Sequence, residues 1–263
     1  MRPDLTIDTE KVAADLKAFV RDYVEGADAA GVVLGLSGGL DSATAACVAV
    51  GALGPPHVWP LILPYRTSST ESRRDAERVA DALRLQAAVL DVTAQVDAYF
   101  GAVGEASPLR VGNKVARERM SVLYDQAKSR GALVLGTGNR TERLLGYTTL
   151  WGDMACDLAP LGGLFKTQVR MLARALGVPK EIIGKPPTAD LWPGQTDEDE
   201  LGLSYETADE LLHLLVDRRL AQRDIVAHGY DREVVRRVRK LMRRTAHKRR
   251  LPPSPSPPWR RPA

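Results

Sequence analysis

A short apolar run that breaks into a glycine-rich turn constrains the fold of this chain more than any other segment. Residues 32–36 are Val-Val-Leu-Gly-Leu, which predicts a buried strand, and Ala43 to Leu53 continue as an apolar helix. The turn between them is Ser-Gly-Gly-Leu-Asp-Ser at residues 37–42. Glycines let a backbone approach a ligand closely, and a helix N-terminus offers unpaired N–H groups to an anion. The segment therefore predicts a phosphate-binding loop.

The type of phosphate loop follows from its other residues. Asp41 adds a carboxylate that could hold a magnesium ion against the phosphate. The Gly-Lys-Ser/Thr ending of the nucleoside-triphosphatase loop does not occur here. The loop instead resembles that of the ATP-pyrophosphatase enzymes, which cleave ATP between the α- and β-phosphates and transfer AMP to a substrate oxygen. The alternative is an ordinary Gly-Gly turn beside a helix cap.

The remaining pattern alternates between strands and helices. Strand-like runs recur at residues 58–63, 87–92 and 132–136, and helical patterns lie between them and after them. Helices are predicted at residues 9–25, 70–83, 114–129, 166–176, 205–227 and 231–246, with loops at 136–163 and 185–203. The alternation predicts an α/β fold, with a doubly wound, Rossmann-like, mainly parallel sheet flanked by helices. The length predicts one domain over residues 1–250, and the proline-rich residues 251–263 predict an extended or disordered tail.

Composition excludes several classes of protein. No run of about 18 apolar residues occurs, which argues against a membrane span, and the N-terminus has no apolar segment typical of a signal peptide. Cys47 and Cys156 show no paired spacing, which favours a reducing cytoplasm and a packing role for both. Residues 231–250 hold ten Lys and Arg against two acids, which is more typical of a solvated helix face than of a surface that binds polyanions such as nucleic acid.

A second loop is expected beside the first. Residues 136–142 are Gly-Thr-Gly-Asn-Arg-Thr-Glu and follow the predicted strand at 132–136. Ligands of such sheets bind beyond the carboxyl ends of the strands, so both loops should reach one rim. Asp41 and Glu142 could then share magnesium ions that bridge a triphosphate. Taken alone, Glu142 would be interpreted as a surface acid.

Several motifs resemble, in the same order, those of the NAD synthetases. Residues 136–142, with Trp-Gly-Asp at 151–153, resemble the second signature of that family. Residues 185–202 resemble its acidic loop, and residues 64–69 resemble its segment after the second strand. The likeness spans roughly residues 10–252, and the agreement of several motifs in register makes it specific.

The resemblance implies an activity and a set of partners. Enzymes of this family use ATP to adenylate the nicotinate carboxylate of nicotinic acid adenine dinucleotide (deamido-NAD). Ammonia then displaces AMP and gives the amide, NAD. The implied partners are therefore ATP, Mg2+, deamido-NAD and ammonia. The family also implies a symmetric homodimer, and the match of residues 245–249 to its C-terminal motif argues against a nucleic-acid arm.

The resemblance also assigns roles to individual residues. Asp41, Glu142 and Lys166 are implied as catalytic, with Asp41 and Glu142 on magnesium. The implied ATP-binding residues are Gly35, Leu36, Ser37, Gly38, Gly39, Leu40, Asp41, Ser42, Thr137, Lys166 and Thr188. The implied contacts to deamido-NAD are Arg117, Asp157, His247 and Lys248. For Lys166, Thr188 and Arg117 the alternative interpretations are a solvated lysine, plain loop structure and an exposed basic helix face.

The chain departs from the family pattern at two places. Leu150 stands where ammonia-dependent members commonly have lysine, and Met154-Ala155-Cys156 replaces a Gly-Gly pair, which resembles glutamine-dependent members more closely. The chain is too short to include their glutaminase domain, so we expect free ammonia, or a glutaminase on another polypeptide, to supply nitrogen. Two alternatives remain open: another adenylating enzyme of this loop class, such as an RNA-modifying one, and a non-catalytic nucleotide-binding protein.

Overall fold

A four-stranded parallel sheet forms the centre of the computed structural model, which describes residues 2–188 and 196–255. The strands are β1 (Val32–Gly35), β2 (Val58–Ile62), β3 (Ala88–Val89) and β4 (Leu133–Val134), in the order β3-β2-β1-β4. Val32 pairs with Val58 on one side and with Leu133 on the other. A bridge from Leu135 to Leu158 extends the edge next to β4. The predicted doubly wound α/β fold is confirmed.

Helices cover both faces of this sheet. Their bounds are α1 (Thr9–Gly26), α2 (Leu40–Leu53), α3 (Thr70–Ala82), α4 (Thr93–Val103), α5 (Pro108–Arg130), α6 (Arg140–Leu145), α7 (Lys166–Ala175), α8 (Lys180–Gly184), α9 (Asp197–Leu201), α10 (Tyr205–Leu212), α11 (Gln222–Ala227) and α12 (Arg232–Arg244). Successive side chains of a strand point to opposite faces. Leu34 accordingly packs in one cluster with α1, α2 and α7, and Val33 packs in another with α4 and α5.

A third apolar cluster lies among the C-terminal helices. It combines Leu145 of α6 with Leu211 of α10 and Val238 of α12, all of them buried. Phe165, immediately before α7, is also buried in this cluster. The first residues of α6 and α7 therefore lie where the sheet layers meet the C-terminal helices.

The structure corrects several element predictions. The helix predicted at 114–129 begins earlier, because the Ser107 side chain caps it and Pro108 occupies its first position. The helix predicted at 205–227 is interrupted after Leu212 by a π-helical turn, and the predicted loops at 136–163 and 185–203 contain α6 and α9. The strand predicted at 87–92 is reduced to the two residues of β3.

Within the described ranges, no helix is both long and apolar enough to cross a membrane. The single domain over residues 1–250 stays a prediction. Residues 256–263 of the proline-rich segment lie outside the described residues, as do residues 189–195 of the segment that resembles the acidic loop.

Candidate active site

The turn after β1 is closed by its two serines. The Ser37 and Ser42 hydroxyls lie 3.0 Å apart, and the Ser42 hydroxyl donates to the Gly39 carbonyl at 3.1 Å. The N-cap of α2 is Gly39, which carries no side chain to satisfy the first N–H groups of that helix. These N–H groups and the positive end of the helix dipole suit a bound phosphate.

Close packing against α3 fixes the conformation of this turn. Gly38 has a φ of +78°, in the region that favours glycine. A Cβ atom on Gly38 would lie 2.1 Å from the Ser72 carbonyl oxygen and 3.0 Å from the Ala76 nitrogen. The backbone of α3 therefore touches the loop directly, and a side chain at this position would separate the two segments.

A buried lysine lies between two carboxylates beside the loop. The ammonium of Lys166 contacts the Asp41 carboxylate and lies 3.4 Å from Oε1 of Glu142. The Lys166 side chain is 5% exposed, and those of Asp41 and Glu142 are 17% and 16% exposed. The structure thus brings together the three residues that the resemblance implied as catalytic, at the carboxyl edge of the sheet.

Asn139 links the two carboxylate loops. Its side-chain amide donates to Asp41 at 3.0 Å, and its side-chain oxygen accepts from the Glu142 backbone N–H at 3.0 Å. Glu142 in turn accepts from the Asn139 backbone N–H at 3.2 Å, which completes a capping box at the start of α6. One oxygen of Glu142 is held by this cap, and the other faces Lys166.

Burial and charge shift the titration of this cluster. Burial raises the pKa of Glu142, and the nearby Asp41 carboxylate raises it further, while Lys166 opposes the change. Burial alone would lower the pKa of Lys166, but the carboxylates of Asp41 and Glu142 outweigh it and raise that pKa. The lysine is therefore held as a cation in a site that concentrates negative charge.

Two tyrosines and a further carboxylate surround the lysine. The Lys166 ammonium lies 5.1 Å from the ring centre of Tyr205, whose hydroxyl donates to Asp197 at 2.9 Å. The Tyr147 hydroxyl donates to the same carboxylate at 3.1 Å. No role for Asp197 or Tyr205 was predicted from the sequence. Asp197 lies in the segment that resembles the acidic loop, but its burial cannot be seen in a run of four acidic residues.

The residues present fit a magnesium ion. Mg2+ prefers oxygen ligands, and it is typically held by one or two carboxylates together with substrate phosphates. Asp41 and Glu142 supply such carboxylates next to the phosphate loop. Among the described residues, no group of three or more His, Cys, Asp or Glu side chains forms an all-protein metal site. A cation shared with a nucleotide therefore suits this donor set.

Two of the residues implied to contact the dinucleotide converge on one loop. The Arg117 guanidinium donates to the Leu150 carbonyl at 3.2 Å, and the Lys248 ammonium donates to the Gly146 carbonyl at 2.8 Å. Lys248 also donates to the Thr148 carbonyl at 2.5 Å, and burial lowers its pKa. Both cations thus lie against residues 146–150.

A cavity of about 210 Å³ opens beside this loop. Its lining includes Leu150, Trp151, Met154 and Lys248, together with three arginines: Arg143, Arg249 and Arg250. Two positions that depart from the family pattern, Leu150 and Met154, therefore line this cavity. Its cationic rim suits an anionic ligand.

The other implied residues lie at four different places along the described chain. Asp157 accepts from the Val134 backbone N–H at 2.7 Å and from the Tyr124 hydroxyl at 3.4 Å, which ties it to the edge of the sheet. His247 is exposed in the turn after α12. Thr137 is half-buried between β4 and α6, and Thr188 is half-buried at the end of the first described range.

Comparisons with known proteins agree with this geometry. The family model described as NAD synthase matches residues 12–252. An NH3-dependent NAD+ synthetase of Trichlorobacter lovleyi is 49% identical, over 94% of this chain and 91% of the relative. An NMN synthetase structure from Francisella tularensis superposes with a TM-score of 0.85 at 33% identity, over 95% of this chain and 99% of the other. An NH3-dependent NAD synthetase structure from Campylobacter jejuni, in complex with nitrate, superposes with a TM-score of 0.82 at 30% identity, over 95% of this chain and 100% of the other.

Proposed function

Because the chain belongs to the NAD synthase family, we propose that it amidates deamido-NAD to NAD, with ATP as the activating substrate and ammonia as the nitrogen donor. It is a ligase that forms a carbon–nitrogen bond. The observation that carries the site assignment is the cluster of Asp41, Glu142 and Lys166 directly beside the phosphate loop.

The reaction consists of two displacements. In the first, an oxygen of the nicotinate carboxylate attacks the α-phosphorus of ATP, the bond to the β-phosphate oxygen breaks, and pyrophosphate leaves. In the second, ammonia attacks the carbonyl carbon of the mixed anhydride, AMP leaves, and the nitrogen loses a proton to give the amide. Neither step needs a protein nucleophile, so the protein contributes mainly position and charge stabilisation.

The loop residues provide the phosphate contacts in this proposal. The N–H groups at the start of α2 face the triphosphate, and Lys166 lies where its cation can stabilise charge that develops on the phosphate oxygens. Asp41 and Glu142 would hold Mg2+, and Mg2+ when bound neutralises charge on the departing pyrophosphate. Thr137 and Thr188 would complete the ATP site.

The cationic cavity is proposed to receive the second substrate. His247 and Lys248 would contact the pyrophosphate of the dinucleotide, and Arg117 and Asp157 would also contact this substrate. Position 150 is leucine where ammonia-dependent members commonly have lysine, so the cavity has one cation fewer. Binding of the dinucleotide would therefore depend more on the neighbouring arginines. We also propose a cytoplasmic homodimer, on the basis of family resemblance.

A second candidate substrate is nicotinic acid mononucleotide. The structural likeness to an NMN synthetase supports it. A mononucleotide lacks the adenylate half of the dinucleotide and would need fewer of the cationic contacts. Separate assays with each substrate would rank the two by kcat/KM.

The experiment that tests the proposal is a product assay on the purified chain. It contains ATP, Mg2+, ammonium and either deamido-NAD or nicotinic acid mononucleotide, with products separated by chromatography. Amidated product and AMP are expected in equal amounts, and Asp41→Asn should abolish them while the exposed control Asp15→Asn does not. Amidation with glutamine as the nitrogen source would contradict the free-ammonia donor. Conversion of ATP to AMP without amidation would indicate another carboxylate or an RNA as the acceptor.

A further inference from the structure

One buried carboxylate outside the proposed ATP site joins the two helices that carry Glu142 and Lys166. Asp209 of α10 is 0% exposed. Its Oδ1 accepts from the Thr141 hydroxyl at 2.5 Å, and its Oδ2 accepts from the Thr167 backbone N–H at 2.8 Å. The Thr141 hydroxyl oxygen also accepts from the Lys166 backbone N–H at 2.9 Å. A single side chain therefore reaches the first turns of both α6 and α7.

The start of α7 explains why such a carboxylate is needed. Its N-cap residue is Phe165, whose side chain has no acceptor for the first N–H groups of the helix. The Thr141 hydroxyl and the Asp209 carboxylate accept from the N–H groups of Lys166 and Thr167 instead. A carboxylate at this end also interacts favourably with the helix dipole. Asp209 thus acts as an N-cap supplied by another helix.

The residues that Asp209 contacts are sequence neighbours of two site residues. Glu142 follows Thr141 by one residue, and Lys166 precedes Thr167 by one residue, so both site residues are adjacent in sequence to a partner of Asp209. We propose that Asp209 is a positioning residue that sets the distance between Glu142 and Lys166. This proposal rests on the roles assigned to those two residues above.

Kinetics on folded protein provide the first test. We expect Asp209→Asn to lower kcat about tenfold and Asp209→Ala to lower it about 100-fold, since a displacement near 1 Å can cost that much. KM for deamido-NAD should stay within about threefold, because the dinucleotide residues are not touched. Thr141→Val should act through the same bonds, so its effect on kcat should not add to that of Asp209→Asn.

The matched control is Glu210→Gln. Glu210 is the next residue of α10, and it accepts from the Tyr230 hydroxyl at 2.9 Å, away from Asp209. We expect this variant to keep kcat within about twofold even where its melting temperature falls as far as that of Asp209→Asn. If Asp209 had only a structural role, Asp209→Asn would lower the melting temperature and leave kcat per folded molecule unchanged. If Asp209→Ala fails to fold, Asp209→Asn and Thr141→Val decide the question.

A second readout does not depend on turnover. The amine of Lys166 is buried, so it should resist acetylation in the wild-type chain, as measured by mass spectrometry. Release of the first turn of α7 should increase its labelling in Asp209→Asn and in Thr141→Val, but not in Glu210→Gln. Unchanged labelling together with unchanged kcat in both variants would overturn the proposal. A wild-type chain that forms no NAD would count against the proposed function, while the labelling would still test Asp209.

Discussion

Replacement of Gly38 by alanine tests the phosphate loop most directly. Two costs follow from the structure. The φ of +78° places a side chain in the left-handed region, which costs about 1–2 kcal/mol for an L-residue. The new Cβ would lie 2.1 Å from the Ser72 carbonyl oxygen, and such overpacking typically costs a further 1–3 kcal/mol or so. We therefore expect Gly38→Ala to lower the free energy of unfolding by about 2–5 kcal/mol.

The substitution should also lower turnover of the molecules that remain folded. To relieve the contact with Ser72, the loop and α3 must move apart by about 1 Å, and a displacement of this size near reacting groups can lower a rate about 100-fold. The assays are urea unfolding followed by circular dichroism, and kcat for NAD formation measured on the folded fraction. At about 2–4 °C per kcal/mol for a chain of about this size, the melting temperature should fall by roughly 4 °C or more.

Two further variants separate strain from contact. Asparagine tolerates a positive φ, so Gly38→Asn should be nearly as damaging as Gly38→Ala if the contact with α3 dominates. Gly101→Ala, within α4, serves as the control. Among the described residues no atom lies within 4 Å of a Cβ at Gly101, so this change should stabilise by about 0.5–1 kcal/mol. A Gly38→Ala variant with wild-type stability and kcat within twofold would refute the reasoning.

Three other outcomes are expected. Lys185→Met should lower the free energy of unfolding by about 3 kcal/mol, because it removes the ammonium that lies 2.8 Å from the buried Asp75. Arg78→Gln, which removes the exposed partner of Asp75, should cost less than about 1 kcal/mol. Urea unfolding measures both. Equal costs would contradict the burial argument. Burial raises the pKa of the Cys47 thiol to about 11, so iodoacetamide should modify it slowly at pH 8 in native protein and faster as the pH rises towards that value, as followed by mass spectrometry. Chelation of divalent cations should stop NAD formation without lowering the melting temperature, because Lys166 contacts both site carboxylates without a metal; full activity with chelator would contradict the proposed magnesium site.

The local pattern of the chain predicted most of the fold. The strand predicted at 32–36 agrees with β1 to within a residue, and the helix predicted at 9–25 agrees equally well with α1, since both follow a clear hydrophobic pattern. The failures occur where tertiary packing decides. Helix α4 was not predicted, although Val96, Tyr99 and Val103 share one face of it, and only Val96 of its residues is buried. The interruption after Leu212 leaves the hydrophobic pattern almost unbroken.

The site residues also fall into two groups: those that the sequence pattern predicts, and those that only the tertiary packing brings to the site. The positions of Asp41 and Glu142 followed from the rule that ligands bind at the carboxyl ends of parallel strands. The link through Asn139 was also within reach, since Asn followed three residues later by Glu is a capping-box pattern. Asp197 and Asp209 could not be predicted in this way. Their partners come from distant parts of the chain, and a buried carboxylate has the same local sequence as an exposed one.

The buried charges of the site are better explained by ligand binding than by stability. A buried ion pair rarely stabilises a protein more than well-packed apolar side chains would, because desolvation offsets the attraction between the charges. Here Lys166 and two carboxylates share one nearly buried place, and the first turns of the two helices that carry Glu142 and Lys166 both contact a carboxylate supplied by α10. An apolar core at this junction of the sheet with the C-terminal helices would hold the fold equally well. It would not place a cation and two carboxylates at the same edge, as the proposed ATP and magnesium site requires. The arrangement therefore suits the proposed nucleotide-activating site. The apolar clusters on either side stabilise the fold in spite of the buried charges.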